Sequence, residues 1–448
     1  FESPPAHQRR RAPPRRPLAQ GGLFLSPPMT PLPLDPEWRT ALTVAVFVVV
    51  YLGMFLGGLP RLRLDRTGVA VLGAIAMIAI QGWSVAEAAA AIDLPTIVLL
   101  FAFMVVSAQM RLGGFYTAVT RAVGAWALPP PVLLGVLLLV VAVLSAVFSN
   151  DVVCLAVTPI VARIAWRRGW DPVPWLVAVA CASNIGSAAT LIGNPQNMLI
   201  GSVMQVPFGA YVREAGPPVL LALLATWGWM VGVMRLSGPR AALPPATAAA
   251  LARDTGPAFD RWQSTKGLAV AAAVLVAFLF TDWPREVVAL VAAGVLLLSR
   301  RLHSAEVMGL VDWPLLLLFI GLFIVNHGFE ATGLAAQGVA WLAAQGLALA
   351  DPVVLAVAGV TLSNLVSNVP AVMLILPHLN DPTQAVTLAL VSTYAGNLLL
   401  VGSIANLIVA DLAGRDGLVI DWRRHAAIGV PVTAGSLLTW WAWQAVAG

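Results

Sequence analysis

Ser149, Asn150 and Asp151 stand in a row inside "SAVFSNDVVCLAVTP", residues 145–159. A hydroxyl, an amide and a carboxylate side by side can bind a small polar solute, and the carboxylate can also take up a proton or a cation. Ser367 and Asn368 form a similar cluster in "TLSNLVSNVPAVMLILP". Two further segments are punctuated by glycine and asparagine. "NIGSAATLIGNPQN" carries Asn184, Gly193, Asn194 and Asn197, and "GNLLLVGSIAN" carries Asn397, Gly402, Ser403 and Asn406. All four segments lie in strongly apolar surroundings, where a polar or ionisable residue is a functional candidate by default.

The elements that hold these residues follow from composition. The 448 residues are 59% hydrophobic and 10% charged, with mean hydropathy +0.86. A soluble domain carries about 25% charged residues. Apolar runs recur at 41–58, 67–82, 93–110, 173–209, 218–235, 266–281, 285–300, 312–327, 383–410 and 426–446, and a membrane helix needs roughly 20 such residues. The chain therefore reads as an all-α polytopic membrane protein. The alternating ten-residue segments of a closed barrel are absent.

The net charge of +5 is concentrated at one end. Arg9, Arg10, Arg11, Arg15 and Arg16 against Glu2 give residues 1–28 a charge of +4, which leaves +1 for the rest. A nucleic-acid partner is not expected. Residues 1–40 read as a disordered N-terminal segment, and 1–28, ahead of Met29, as an upstream extension outside the fold. Cys154 and Cys181 lie in apolar stretches and read as packing residues.

Arginine-rich loops at 61–66, 163–169, 300–303 and 415–424, with the 236–265 linker, alternate with loops poor in Lys and Arg at 83–92, 328–351 and 378–382. Positive charge marks the cytoplasmic side. The linker then lies in the cytoplasm between a first repeat, 41–235, and a second, 266–448, with both termini extracytoplasmic. A cell (plasma or inner) membrane is the expected location. Trp38, Trp83, Trp313, Trp440 and Trp441 read as interfacial anchors.

The two halves repeat. "DLPTIVLLFAF" begins at Asp93 and "DWPLLLLFIGL" at Asp312; Asp93 precedes Ser149 by 56 positions, and Asp312 precedes Ser367 by 55. Gly193 to Asn197 and Gly402 to Asn406 are both 4. An odd number of crossings per half makes this an inverted-topology repeat, a construction of secondary transporters. The eleven residues 369–379 would rise about 16 Å as a helix, half a bilayer core. So 352–379 predicts a re-entrant hairpin turning at "SNVP", and 131–166 its opposed partner turning at "SND", with two full crossings left open for its longer arms. The segments 173–209 and 383–410 predict broken helices. About ten transmembrane helices accompany the two hairpins. Non-helical backbone at membrane depth must be buried or line a cavity, so tips and breaks should share one central site.

These motifs, "SND…TP", "NIGSAATLIGNPQN", "SNVP" and "GNLLLVGSIANL", resemble the ion transporter superfamily across 40–446, and within it the citrate-transporter-like and arsenite-permease-like anion permeases. In the sodium-coupled dicarboxylate branch the tips read Ser-Asn-Thr and hold carboxylates and sodium. By position that resemblance implicates Ser149, Asn150, Gly193, Asn194 and Asn197, and Ser367, Asn368, Gly402, Ser403 and Asn406. Asn184 and Asn397 join them as the first asparagines of the broken segments. The sequence departs from that branch at Asp151 and Val369, where the Thr would be. An ionised Asp151 repels a dicarboxylate, by about 4 kcal/mol at 4 Å and an effective dielectric of 20. The Asn-Asp tip looks more like the arsenite permeases.

The expectation is a secondary active transporter for a small anion or oxyanion (arsenite, citrate, a dicarboxylate or similar), working by elevator-type alternating access. Asp151 would couple a proton or sodium; its bland alternative is a helix N-cap. The second reading is a sodium/proton antiporter on the same fold. Asp93 and Asp312 read as N-caps, and His327, Glu330 and His378 as solvated or interfacial groups. No metal-type His/Cys cluster, Gly-x-Ser-x-Gly or paired catalytic carboxylates point to an enzyme or a cofactor. The lipid bilayer and a homodimer partner, the latter implied by the resemblance, complete the expectations.

Overall fold

A computed structural model of the chain describes residues 35–59, 62–236, 245–252 and 257–447. The expectations for 1–34 and for most of the linker lie outside them. The first half runs α1 (Pro36–Leu56), α2 (Arg66–Gln81), α3 (Val85–Ala90), α4 (Leu94–Leu112), α5 (Phe115–Ala125), α6 (Pro130–Val147), α7 (Asn150–Arg167), α8 (Pro172–Ser187), α9 (Pro195–Val203) and α10 (Phe208–Leu236). After α11 (Pro245–Ala252) the second half runs α12 (Arg261–Phe280), α13 (Arg285–Leu297), α14 (Ser304–Met308), α15 (Trp313–Glu330), α16 (Leu334–Ala344), α17 (Pro352–Val366), α18 (Asn368–Ile375), α19 (Pro382–Ala395), α20 (Ile404–Arg415) and α21 (Trp422–Ala447). Among the described residues six helices are long and apolar enough to cross a membrane, and several shorter apolar helices accompany them.

Ten helices thus follow ten in the same order, and their packing exchanges partners. α2 packs on α15, while its mate α13 packs on α4. α7 packs on α20, while α18 packs on α9. The last helices of the halves, α10 and α21, pack on each other. Small residues let such pairs approach: a Cβ on Gly321 of α15 would lie 2.7 Å from the Ala70 backbone of α2.

The caps show that one half is inverted. Asp93 accepts a hydrogen bond from the Thr96 amide at 2.9 Å and starts α4. It also accepts one from Ser202 Oγ at 2.8 Å, on the face where Arg285 reaches the Gly201 carbonyl. Asp312 caps α15 in the same way through the Leu315 amide. Its neighbour Pro314 accepts from Thr67 at the start of α2, while α2 and α15 end together where Trp83 meets His327. The two equivalent helices therefore start on opposite faces.

Several boundaries differ from the sequence reading. Helix α1 begins at Pro36, inside the segment read as disordered to 40, because Pro at the first helical position is already set for a helix. Helix α12 begins at Arg261, not 266, since Asp260 caps it through the Gln263 amide. The apolar run read at 218–235 belongs to a longer helix, since α10 runs through Pro217 and Pro218 as a single 29-residue helix; neighbouring helices make such prolines tolerable in a membrane. A two-stranded ribbon, Gly58–Leu59 with Leu64–Asp65, joins α1 to α2. Trp440 is buried in the core, not placed as an anchor. Glu330 and His378 pair at 3.6 Å, where solvated groups were expected.

Candidate solute site at the convergence of four helix ends

Two helical hairpins and two broken helices meet in the middle of the bundle. In the first hairpin α6 and α7 turn at Phe148 and Ser149, with Ser149 as the N-cap of α7. Both arms are 18 residues long. In the second, α17 turns through Ser367 into the eight-residue α18, which at 1.5 Å per residue spans about 12 Å and cannot cross a bilayer. Ser367 sits at φ 78°, ψ 159°, a conformation costly for a residue with a Cβ and tolerated mainly where surrounding structure enforces it. Ser149, its counterpart, has φ −56°.

The first broken helix stops at Ser187 and resumes at Pro195. Asn194 caps the resumption, accepting a hydrogen bond from the Asn197 amide at 2.9 Å, and Pro195 supplies the first helical position. Gly193 must be glycine, because a Cβ there would collide with the Ser187 carbonyl. The second broken helix stops at Ala395 and resumes after Ser403, which caps α20 through the Ala405 amide at 3.2 Å.

Asn184 ties the breaks and the first tip together. Its Nδ2 donates to Asn397 Oδ1 at 2.8 Å and to Asn406 Oδ1 at 3.2 Å. Its Oδ1 accepts from Asn150 Nδ2 at 3.2 Å and from Ser403 Oγ at 3.0 Å. The Asn150 amide donates to the Gly193 carbonyl at 3.3 Å, and Asn406 Nδ2 donates to the Gly396 carbonyl at 2.7 Å. Asn368 Nδ2 and the Ser403 side chain both lie against Gly396. Gly402 faces Asn364 Oδ1. The second lobe centres on Asn194, whose Nδ2 donates to Ser187 Oγ at 2.9 Å and to Thr393 Oγ1 at 3.2 Å. Asn197 Nδ2 donates to Tyr211 Oη and the Thr190 carbonyl, both at 3.0 Å.

The structure thus links Asn150, Asn184, Gly193, Asn397, Ser403 and Asn406 through direct bonds, with Asn368 and Gly402 against the same backbone and Asn194 and Asn197 one lobe away. Ser149 contributes its backbone: its amide donates to Ser107 Oγ on α4, and its side chain makes no cap bond. Ser367 contributes backbone shape, without a side-chain cap bond. Asp151 is the second residue of α7, not its cap, and no hydrogen bond or ion pair to its carboxylate occurs among the described residues. The bland reading as an N-cap is therefore replaced by a half-buried first-turn carboxylate.

Buried polar groups are normally paired. Here Asn150 Oδ1, Asn197 Oδ1, Asn368 Oδ1 and Asn397 Nδ2 have no hydrogen-bond partner among the described residues. Carboxamides can therefore both donate to and accept from a solute. The N-termini of α7, α9, α18 and α20 converge on the same place, where the first N–H groups of a helix lack intrahelical partners and the helix end carries partial positive charge. None of the side chains in this network is Lys or Arg.

Sequence reasoning missed Ser183, Ser187, Gln196, Asn364, Thr393 and His425. Ser183 Oγ donates to the Asn150 carbonyl at 3.1 Å, and His425 Nε2 lies 3.0 Å from the Asn397 carbonyl. Polar residues in apolar helix runs were the available signal for the hydroxyls and amides. His425, at the start of α21, had no motif to single it out. Tyr51 and Asn326 were also missed; Tyr51 Oη donates to Asn326 Oδ1 at 2.7 Å and to the Pro370 carbonyl, just past the second tip, at 3.4 Å. Asn326 lines a cavity of about 450 Å³ with Asp93, Glu330 and Met373.

A family model described as "Citrate transporter" matches residues 45–394. The silicon efflux transporter LSI3 of Oryza sativa subsp. japonica is 30% identical over 447 residues, covering 84% of this chain and 91% of that protein. An uncharacterized transporter of Mycobacterium tuberculosis is 29% identical over 382 residues, covering 78% and 85%. The putative transporter arsB of Dictyostelium discoideum is 21% identical over 487 residues, covering 83% and 86%. Among solved structures, Neisseria gonorrhoeae MtrF superposes with TM-score 0.57 at 13% identity, covering 90% of this chain and 94% of that one. The Alcanivorax borkumensis YdaH transporter gives 0.53 at 14%, covering 90% and 96%.

Proposed function

The chain belongs to the citrate transporter family, a membrane transporter, and we propose that it moves a small, weakly charged oxyacid such as arsenite or silicic acid across the cell membrane. The single observation that carries the reading is the Asn184 knot, in which amides and hydroxyls of both halves converge on four helix N-termini without a Lys or Arg. Two relatives named for silicon efflux and arsB support the substrate class. A citrate-like substrate finds no paired cation here, and Asp151 would repel it.

Asp151 is the coupling group, taking a proton or sodium from the medium on the side where the site is open. The hairpin tips and broken helices move as one body past α1, α2, α4, α12, α13 and α15. The arginine-rich face is cytoplasmic, and both termini lie outside. A homodimer is the expected assembly. The test is flux in proteoliposomes with arsenite, silicic acid and citrate offered separately, under imposed proton or sodium gradients. Gradient-driven flux of arsenite or silicic acid supports the reading; citrate flux alone replaces the substrate class. The antiporter reading draws on the unpartnered Asp151 carboxylate, and proton-sodium exchange with no oxyacid present would favour it.

A further inference from the structure

The cavity beside Asn326 has no part in the amide knot. It encloses about 450 Å³ between the start of α4, the last turns of α9, the end of α15 and the base of the second hairpin. That is room for a small solute beside several waters, at about 30 Å³ for each water. Asp93, Asn326 and Glu330 supply polar wall, and Phe323 and Met373 apolar wall; among the described residues no Lys or Arg lines it.

The repeat shows what is peculiar to this place. Asn326 follows Asp312 by 14 positions, as Ser107 follows Asp93. In the first half Ser107 Oγ meets its tip directly, accepting a hydrogen bond from the Ser149 amide at 3.2 Å. In the second half Tyr51 stands between helix and tip: its Oη donates to Asn326 Oδ1 at 2.7 Å and to the Pro370 carbonyl at 3.4 Å. Asn326 is only 7% exposed, and its Nδ2 has no hydrogen-bond partner among the described residues. A buried donor normally has one. One helical turn further out, about 6 Å along the axis, Glu330 Oε1 meets His378 Nε2 at 3.6 Å. Asp93 Oδ1 accepts from the Thr96 amide and from Ser202 Oγ. The second oxygen of each carboxylate holds no hydrogen bond or ion pair among the described residues.

We propose that this cavity is a second solute site, which holds a small uncharged, hydroxyl-bearing oxyacid between the medium and the amide knot. Asn326 Nδ2 donates to a solute oxygen, and the second oxygens of Asp93 and Glu330 accept its hydroxyls. An anion would face two carboxylates with no Lys or Arg to offset them, and a bare cation gains nothing from an N–H donor. Tyr51 ties the inner end of the cavity to the backbone just past the second tip, so solute leaving it arrives beside that tip. The inference rests on the oxyacid reading of the amide knot and adds a separate place where the same solute binds.

The test counts solute bound per chain. The full chain in neutral-lipid nanodiscs is dialysed to equilibrium against silicic acid or arsenite, and bound silicon or arsenic is measured by elemental analysis. Asn326→Asp keeps an oxygen for Tyr51 and removes the donor. Ala90 lines the cavity and is exposed, so Ala90→Trp places bulk at the mouth without disturbing a buried contact. The expected result is two equivalents in the wild type and one in each variant, with thermal melts showing all three proteins folded. One equivalent in the wild type, or two in either variant, overturns the second site and leaves the knot reading standing. No bound silicic acid or arsenite in the wild type overturns the oxyacid reading, and the second site with it.

Discussion

At the scale of single residues, Asn184 carries more of the site than any one motif suggested. One carboxamide is held by four bonds, three of them to the other half of the chain. Truncating it orphans several buried partners at once. Asn184→Ala should lower stability by about 2–3 kcal/mol and abolish flux, read by thermal melting and proteoliposome uptake of the same preparation. Asp151 predicts a different pattern. With no bond to lose, Asp151→Asn should insert and melt like the wild type, within ~0.5 kcal/mol, while gradient-driven flux disappears. Normal flux with unchanged gradient dependence would remove its coupling role. The sequence displayed Asp151 plainly, since a carboxylate in an apolar run is conspicuous. It could not display that Ser149, two residues earlier, is the cap, because cap geometry depends on where the backbone turns.

Among the elements, the two hairpins differ more than their sequences do. Both turn at a Ser-Asn pair, yet Ser367 holds φ 78° and Ser149 φ −56°. Glycine adopts positive φ without steric cost but lowers stability elsewhere by roughly 0.5–1 kcal/mol. Ser367→Gly should therefore leave stability unchanged or raise it by about 1 kcal/mol, whereas Ser149→Gly should lower it. The opposite ranking in chemical denaturation would mean that the second tip is unstrained. Element types and order were legible from the paired motifs and their spacing. Their ends were less so: the apolar run 218–235 left out the first ten residues of α10, which passes through Pro217 and Pro218. The break at Gly193 was legible because glycine, asparagine and proline cluster there; the contact with Ser187 that requires the glycine was not.

Across the whole molecule, the exchange of partners between halves was visible only once the helices were packed. Sequence spacing indicated an inverted repeat, but not that α2 lies on α15 while α13 lies on α4. Glu330 on α15 and His378 at the base of the second hairpin bridge the two groups of helices that should slide. Cys154 and Cys181 are buried, so thiols introduced at 330 and 378 would be the accessible ones. Cross-linking Glu330→Cys/His378→Cys with a short bifunctional reagent should stop flux, and a cleavable reagent should restore it. Undiminished flux in the cross-linked protein would exclude relative movement there.

The central claim is that the amide knot binds and carries a weakly charged oxyacid. The most direct measurement is the initial rate of arsenite flux across proteoliposomes under a proton or sodium gradient, for the wild type and Asp151→Asn side by side. The account predicts saturable, gradient-driven flux in the wild type and background flux in the variant, with equal amounts of folded protein in both. Equal flux in the two proteins, or proton-sodium exchange that proceeds without arsenite or any other oxyacid, would contradict it.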